Sequence, residues 1–330
     1  MKSQIKNVVS ALAARCGQHR HSSSQPQLWV LMYHRILPAD DARFATEEPG
    51  MIVTPTTFRQ QLRILKSLFE VMPLSAWLSR RDNGLPLPRR ACAITFDDGW
   101  LDNYQFAFPI IKDEQIPATL FAVSHMIGTT RQFWPNRLAR VLSASQPGLP
   151  VPGFEDLSRV SAPIRQLVNR EWLAQTILEL KALSDSELDS RLQSAEKTLQ
   201  LRPEAAPALM DWDNIREMQR SGLVEIGSHT CNHFRLQESL PSETLAREII
   251  ESGTRIEEQT GQAAALFCYP NGDTCSAALR LVGETYRGAV TTRRGINRID
   301  TPAHELLRIG IHEDIGNTPT KFEAKLSGWL

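Results

Sequence analysis

The chain has 330 residues, of which 42% are hydrophobic and 22% are charged, a composition typical of a soluble protein with a sizeable core. Lys+Arg and Asp+Glu each total 37, so the formal net charge is zero. This balance argues against a nucleic-acid partner, which normally requires an excess of basic residues. The sequence has no run of about 18 apolar residues, so it predicts no membrane span.

Residues 1–27 form a basic segment that ends in a polar linker. Ile5, Val8 and Leu12 fall at helical spacing, and Ser10 and Arg15 interrupt an apolar run too short for a secretory signal. Two interpretations stay open: a short basic amphipathic helix that rests on an anionic membrane surface through residues 1–21, or a frayed, solvated terminus. The first 21 residues contain no acid and carry these basic or histidine residues: Lys2, Lys6, Arg15, His19, Arg20 and His21.

The cysteines favour a reducing compartment. They are odd in number, scattered and never spaced as CxxC, which is typical of free thiols rather than of a disulfide framework. Together with the absence of a continuous secretory signal, this pattern predicts a cytoplasmic location, at the inner membrane surface if the basic segment binds lipid. The five residues are Cys16, Cys92, Cys231, Cys268 and Cys275.

Seven short apolar segments are predicted strands, and amphipathic stretches of helical length separate most of them. Such alternation predicts a parallel sheet that is covered by helices on both sides. About seven strands indicate an α/β fold whose sheet is a closed or nearly closed barrel. The segments are 28–34, 91–96, 118–123, 223–229, 265–270, 288–292 and 306–311.

Helix start signals occur in several of the regions between the predicted strands. Thr54 followed by Pro55 predicts a helix start, and the stretch after Pro241 has Leu245, Ile249 and Ile256 on one face. Residues 128–208 lack any strand signal and contain a Pro/Gly-rich loop and a capping box at Ser184. We interpret this region as a helical insertion in a domain of residues 28–330, placed where it would cover an active-site mouth.

The first chemical motif is Thr95-Phe96-Asp97-Asp98-Gly99, at the carboxyl end of a predicted buried strand. Two adjacent carboxylates are costly there because they repel each other and lose solvation. The second motif follows another strand, where His229 and His233 are four residues apart. If this segment turns helically, both imidazoles lie on one side. Two histidines and one carboxylate are a common catalytic zinc set.

The TFDDG, HTxxH and YPNG motifs, in this order, resemble the polysaccharide deacetylase family (the NodB homology domain, carbohydrate esterase family 4) over about residues 28–312. The resemblance implies a distorted (β/α) barrel and hydrolysis of an N-acyl group, foremost N-acetyl, from an amino sugar. It implies that Asp97 is the general base and that Asp98, His229 and His233 bind a divalent metal. Zn²⁺ is the first expectation for this donor set, with Co²⁺, Ni²⁺ or Mn²⁺ as alternatives.

The sequence departs from the family pattern at the residue that orients the base. The family commonly has Arg two positions before the Pro of its third motif, where this chain has Cys268 before Pro270. Arg308 and Arg35 are the two candidates to replace it. Asp102, shortly after the Asp pair, is interpreted as a solvated or capping residue.

The general acid has two candidates. Met32-Tyr33-His34-Arg35 is similar to the YHR motif of the branch that includes poly-N-acetylglucosamine deacetylases, which implies His34 as the acid. His312, after the last predicted strand, is the alternative. A backbone N–H near Asn271 is expected to stabilise the oxyanion, with Tyr269 beside it at the substrate.

Other functions stay open at this stage. The same residues would suit a deformylase of a lipid-linked amino sugar, a cyclic imide hydrolase, or a sugar-binding barrel without catalysis. The expected partner is an amino-sugar substrate in a polymer, a lipid-linked precursor or a nucleotide-linked precursor.

Overall fold

Seven parallel strands close into a barrel in a computed structural model that describes residues 2–21, 23–45, 47–146, 149–156 and 170–329. The ring follows the chain order, and it closes because the first strand pairs with both the second and the seventh. This confirms the predicted α/β barrel of about seven strands. The strands are β1 Gln27–Tyr33, β2 Arg90–Phe96, β3 Ala118–Ala122, β4 Val224–Ser228, β5 Leu266–Cys268, β6 Gly288–Arg294 and β7 Leu306–Gly310.

The barrel is distorted on the side of its later strands. β1 and β2 stay in register from Gln27↔Arg90 to Tyr33↔Phe96, whereas β4 and β5 share the single registered pair Ser228↔Phe267. The β6–β7 register shifts between Leu306 and Arg308. The resemblance to a distorted barrel is therefore confirmed.

Helices surround the strands; of the further short strands, Glu70–Val71 and Asn297–Arg298 pair with barrel strands, and Arg35–Ile36 pairs with Ile52–Val53 in a separate small sheet. Thr54 caps α2 by accepting a hydrogen bond from the Thr57 N–H, as predicted from the Thr-Pro start. The helices are α1 Lys2–Cys16, α2 Pro55–Leu68, α3 Leu74–Asp82, α4 Phe108–Glu114, α5 Trp134–Ala144, α6 Arg170–Leu180, α7 Asp185–Thr198, α8 Trp212–Arg220, α9 Ser242–Ala246, α10 Ser252–Thr260, α11 Ser276–Thr285, α12 Glu313–Gly316 and α13 Pro319–Leu326. The short strands are Arg35–Ile36, Ile52–Val53, Glu70–Val71 and Asn297–Arg298, and π-helical turns cover Asn103–Ala107 and Arg247–Glu251.

Alternation along each strand decides which side chains enter the barrel. In β1, Leu28 and Val30 join an interior cluster with Ala91 and Ala93 of β2, while the outward Trp29 packs on Phe69. By the same alternation, Thr95 in β2 and Asp97 directly after this strand lie on the interior side, where both contact Arg308. The small residues of β2 leave room there for polar groups.

Residues Pro38–Met51 and Thr130–Ala208 form a second compact unit, separate from the unit that contains the barrel. It contains α5, α6 and α7, whose apolar faces bury Leu138, Phe154, Ile177 and Leu192. Sequence reasoning did not foresee that 38–51 belongs to this unit. Of the predicted Pro/Gly-rich loop, residues 147 and 148 lie outside the described residues.

The basic segment 2–16 is a helix that packs on α13. Ala13 and Ala14 are buried against Ala324, and the Gln18 N–H donates to the Ser327 carbonyl. Among the described helices, none combines the length and hydrophobicity that crossing a bilayer requires.

Candidate active site

Five of the chemistry-bearing side chains gather at the carboxyl end of the barrel strands. Asp97 and Asp98 follow β2, His229 follows β4, and His34 follows β1. His233 lies in the turn beyond His229. Because parallel strands share one direction, their carboxyl ends meet at one mouth of the barrel. The predicted cluster of these five residues is therefore present in the structure.

Asp98, His229 and His233 place three donor atoms around one point. Asp98 Oδ1 lies 3.4 Å from His229 Nε2 and 3.5 Å from His233 Nε2. These donor atoms all lie within 4.8 Å of one another, and the two imidazole rings are nearly perpendicular at 79°. This donor set is the one expected for a divalent metal with a free coordination position.

The groups behind the three donors orient them toward that point. His229 Nδ1 lies 2.8 Å from the Cys268 carbonyl oxygen, which can only accept, so Nδ1 carries a proton and Nε2 is the nitrogen that faces the shared point. The Trp100 indole N–H donates to Asp98 Oδ2 at 2.8 Å, which leaves Oδ1 for the shared point. The residues therefore fit a divalent metal, whose binding would require both imidazoles to be unprotonated at Nε2.

The backbone of the donor residues is unusual. Asp98, Thr230 and His233 have φ values of 78°, 65° and 62°, in the left-handed region. Each such non-glycine conformation costs on the order of 1 kcal/mol and persists where the surroundings enforce it. The 229–233 segment is thus a tight turn rather than the helical turn invoked from its spacing. The two histidines meet because the Thr230 side chain accepts a hydrogen bond from the His233 N–H.

Asp97 is held by a two-pronged ion pair with Arg308. Arg308 Nη1 donates to Asp97 Oδ1 at 2.7 Å and Nη2 donates to Oδ2 at 2.8 Å, and the guanidinium is fully buried. Arg308 also donates to the Thr95 hydroxyl and the Cys268 sulfur. Of the two arginines considered from the sequence, Arg308 is the one that binds the presumed base, and it occupies space that the small Cys268 leaves open.

Arg35 serves a different carboxylate. Its guanidinium pairs with buried Asp102 at 2.9 Å and lies over the Trp100 ring, with 4.1 Å to the ring centroid. Asp102 also accepts a hydrogen bond from the Ile36 N–H. The interpretation of Asp102 as a solvated or capping residue was therefore wrong. A buried carboxylate needs a buried partner, and Arg35 supplies it.

The carboxylates of this site are ionised. Burial opposes the charge of Asp97, but the charge of Arg308 and its hydrogen bonds outweigh burial and lower the pKa of Asp97. Burial likewise opposes the charge of Asp98, and the hydrogen bond with His229 and the charge of His233 hold the pKa of Asp98 below its ordinary range. Burial and the charge of His229 lower the pKa of His233 to about 4.

The two candidates for the general acid have different surroundings. His34 Nε2 lies 3.8 Å from Asp97 Oδ2, and its side chain is partly exposed. The structure pairs His312 Nδ1 with Asp314 Oδ2 at 3.3 Å, at the start of α12. His34 is thus the candidate whose ring reaches the Asp pair in this geometry.

Tyr269 and Asn271 differ from expectation. The Tyr269 hydroxyl donates to the His304 carbonyl and its N–H donates to Val290, so both of its donors are engaged within the fold. A role for Tyr269 at the substrate stays a prediction, and neither of these donors is available for it in this geometry. Asn271 is exposed with a φ of 55°, and its carbonyl accepts from the Thr292 hydroxyl. The oxyanion role of Asn271 stays a prediction.

Sequence reasoning missed Trp100 as the partner of Asp98 and left the partner of Asp97 undecided. The sequence did contain a signal for Arg308, the partner of Asp97. Arg308 is the charged residue of the otherwise apolar LLRIG strand, and a buried charge requires a buried counter-charge. Trp100, directly after the Asp-Asp-Gly turn, carried no comparable signal.

Comparison with known proteins places the chain in a family. The polysaccharide deacetylase family model matches residues 84–286, which is more than half of the chain. The chain belongs to the polysaccharide deacetylase family. The family resemblance inferred from the motifs is thereby confirmed, and hydrolases of this family generally depend on a divalent metal.

Curated relatives match over part of their length. The chain is 24% identical over 195 residues to poly-beta-1,6-N-acetyl-D-glucosamine N-deacetylase of Escherichia coli (strain K12), a match that covers 58% of the chain and 20% of that protein. The protein of the same name from Staphylococcus epidermidis is 31% identical over 109 residues, 31% of the chain and 37% of that protein. The matched region is therefore about a fifth of the first relative.

Solved deacetylase structures share the fold. The Streptococcus pyogenes deacetylase PplD in complex with acetate has a TM-score of 0.61 at 19% identity, covering 93% of this chain and 100% of that one. IcaB from Ammonifex degensii has a TM-score of 0.58 at 20% identity, covering 91% and 97%. At this level of identity the similarity concerns the fold.

Proposed function

We propose that this chain hydrolyses the N-acetyl amide of N-acetylglucosamine units, with one divalent metal ion held by Asp98, His229 and His233. The observation that carries the proposal is the convergence of these three donors beside Asp97, whose carboxylate Arg308 binds on both oxygens. Family membership and the names of the relatives supply the substrate class. We propose zinc as the metal, because two imidazoles and one carboxylate suit it.

The residues around the metal position carry out the remaining steps of the hydrolysis. When bound, the metal supplies Lewis-acid polarisation of the amide carbonyl and of the attacking water. Asp97 accepts the proton of that water, and it is ionised because Arg308 stabilises its charge. Arg308 also keeps both carboxylate oxygens in a fixed plane, which limits the loss of orientation during proton transfer.

His34 completes the reaction as the proton donor. An amine is a poor leaving group unless its nitrogen is protonated as the bond to the carbonyl carbon breaks. His34 lies near Asp97 at the carboxyl end of β1, which stands between β2 and β7 in the ring. We propose that this imidazole donates the proton, and that His312 does not.

The first test is metal stoichiometry on the full chain after zinc loading and gel filtration. Wild type should retain about one zinc per chain, and His229→Ala/His233→Ala should retain little. His21→Ala/His312→Ala is the control that removes two histidines outside the donor set and should retain zinc like wild type. Equal zinc in all three proteins would contradict the proposed centre.

The second test is amide hydrolysis with a substrate panel. Poly-β-1,6-N-acetylglucosamine oligomers should release acetate, and Asp97→Asn should lower turnover by about 10²–10⁴-fold while it keeps its zinc. Lipid-linked and nucleotide-linked N-acetylglucosamine, an N-formyl sugar and a cyclic imide complete the panel. We propose a cytoplasmic location, because all five cysteines are free thiols. Preference for a lipid-linked or nucleotide-linked precursor would agree with that location. Bound zinc without hydrolysis of any member would favour a sugar-binding barrel.

A further inference from the structure

The helix α1 is attached to the fold by its small residues and turns its large apolar residues outward. Ala13 and Ala14 are buried, and a Cβ on Gly17 would lie 2.3 Å from the Ser327 Cβ, so this face fits closely against α13. Val8, Val9 and Leu12 are 59%, 42% and 53% exposed. A surface helix of a globular protein normally has the reverse arrangement, with large apolar side chains inward.

The charged residues of α1 and of the turn after it are all basic. The first acidic residue of the chain is Asp40, and the helix and the turn after it carry Lys2, Lys6, Arg15 and Arg20. Among the described side chains, Arg20 pairs with Glu323 of α13, whereas Arg15 is exposed on the same outer face as Val8 and Leu12. An apolar stripe flanked by basic residues is complementary to an anionic lipid surface.

A basic cavity adjoins the end of α1. It has a volume of about 330 Å³, and its polar lining includes Gln18, Gln27, Arg294, Arg298 and Lys325, with the exposed Trp329 at its edge. Among the described residues, no carboxylate lines this cavity or forms an ion pair with Arg294 or Arg298. Partial burial lowers the pKa of the Arg294 guanidinium, although the side chain stays exposed at the cavity. A bound anion would supply the counter-charge that the cavity lining lacks.

The cavity and α1 lie far from the candidate active site. Gln27, in the cavity wall, begins β1, and its register partner Arg90 begins β2. Asp97 follows the opposite, carboxyl end of β2. A surface that covers α1 and the cavity therefore leaves the metal position accessible.

We propose that α1 and the adjoining basic cavity form a docking surface for an anionic membrane, with Val8 and Leu12 entering the lipid and Arg294 and Arg298 binding lipid phosphate. A second copy of the chain is a poorer occupant, because two identical basic surfaces repel each other. The docking surface stands on its own observations and does not require the proposed hydrolysis.

Cosedimentation of the full chain with vesicles tests the docking surface. Wild type should sediment with vesicles of equimolar phosphatidylcholine and phosphatidylglycerol and stay in solution with phosphatidylcholine alone. Val8→Ser/Leu12→Ser and Arg294→Gln/Arg298→Gln should each lower the partition coefficient about ten-fold. All four side chains lie at the surface or in the open cavity, so these variants should fold.

Matched controls distinguish vesicle binding at a local site from non-specific hydrophobic adsorption and from an effect of net charge. Leu85→Ser/Leu178→Ser removes two leucines at least as exposed as Leu12, and Arg255→Gln/Arg280→Gln removes two exposed arginines. Both controls should bind vesicles like wild type. Loss of binding in the controls equal to that in the test variants would overturn the proposal.

Three further results would also overturn the docking surface: no sedimentation with anionic vesicles, displacement by inorganic phosphate at constant ionic strength, or a wild-type dimer that Val8→Ser/Leu12→Ser converts to a monomer. Acetate release from soluble oligomers, measured without vesicles, should be the same in all five proteins. If that activity is absent throughout while vesicle binding persists, the proposed function fails and the docking surface stands.

Discussion

Asp97 and Arg308 lie on strands that flank β1 from opposite sides, and their ion pair crosses the barrel interior. Such a pair contributes to stability only in part, because removing both charges from water offsets much of their attraction. Its functional value is to keep a buried carboxylate ionised and oriented. The family's usual arginine would come from the strand that here carries Cys268, so this chain obtains the same charge from another strand.

Arg308→Lys should expose this role. The lysine keeps the charge but loses one of the two parallel hydrogen bonds, so the pKa of Asp97 rises toward its ordinary value. Because the base acts in its ionised form, the acid limb of the kcat/KM profile should move to higher pH, and turnover at neutral pH should fall by about ten-fold or more. The measurement is a pH–rate profile. An unshifted acid limb with reduced turnover would indicate a merely structural role, and Arg293→Lys, at an exposed site, is the control.

Trp100 orients Asp98, the proposed metal-binding carboxylate, through one hydrogen bond. Trp100→Phe keeps an aromatic ring under Arg35 and removes the indole donor to Asp98, so zinc affinity should fall by about 10–100-fold. Competition with a zinc chelator measures this directly, and turnover at saturating zinc should stay near wild type. Tyr104→Phe, which removes a donor to Glu217 at the surface, should leave the affinity unchanged.

At the scale of elements, glycine permits the close packing of β3 and β4. A Cβ at Gly227 would lie 2.6 Å from the Phe121 ring and 3.0 Å from the Leu266 carbonyl. The barrel interior has no space to move that ring, since Phe121 is fully buried. His229, a proposed metal ligand, lies two residues after Gly227. The packing of β4 therefore also fixes the position of His229 along the barrel axis.

Gly227→Ala should therefore lower the free energy of unfolding by about 1–3 kcal/mol, because overpacking displaces Phe121. Urea denaturation measures the loss, and Phe121→Leu in the same chain should recover part of it. Gly283→Ala, in α11, where an added Cβ would make only ordinary van der Waals contact with His304 at 3.9 Å, should be neutral or stabilising by up to about 1 kcal/mol. Equal destabilisation by both substitutions would contradict the packing account.

The elements were more predictable than their long-range contacts. The strands could be predicted because a covered parallel sheet requires near-continuous apolar runs, and the metal donors because they occur in motifs of fixed spacing. The Arg308–Asp97 and Arg35–Asp102 pairs join residues separated by 211 and 67 positions. No local pattern specifies which carboxylate each arginine binds. For the same reason, the assignment of 38–51 to the helical unit could not be predicted.

On the scale of the whole molecule, the contact between α1 and α13 has a built-in sensitivity to acid. His19 is fully buried, 3.6 Å from Glu323. Burial lowers the pKa of His19 below its ordinary value, although the Glu323 charge opposes the shift. The unfolded chain therefore takes up this proton first as the pH falls, which favours unfolding.

The contribution of His19 to stability should be fully present above about pH 6.5 and decline as the pH falls below that value. Urea denaturation at about pH 7.5 and about pH 5 should show a smaller acid-induced loss in His19→Gln than in wild type. His21→Gln, at the neighbouring exposed histidine, is the control and should behave like wild type. The same acid-induced loss in wild type and His19→Gln would contradict the assignment.

The closure of the ring by β1 with β7 also sets an order of events during folding. β1 and β2 pair across a short stretch of chain, but β7 joins them only after almost 300 residues have been arranged, a contact of very high sequence separation. Until β7 docks, Asp97 has no arginine partner, so its charge would have to stay in water. We therefore expect Asp97 to become buried only in the step that brings Arg308 to it, which is also the step that completes the barrel.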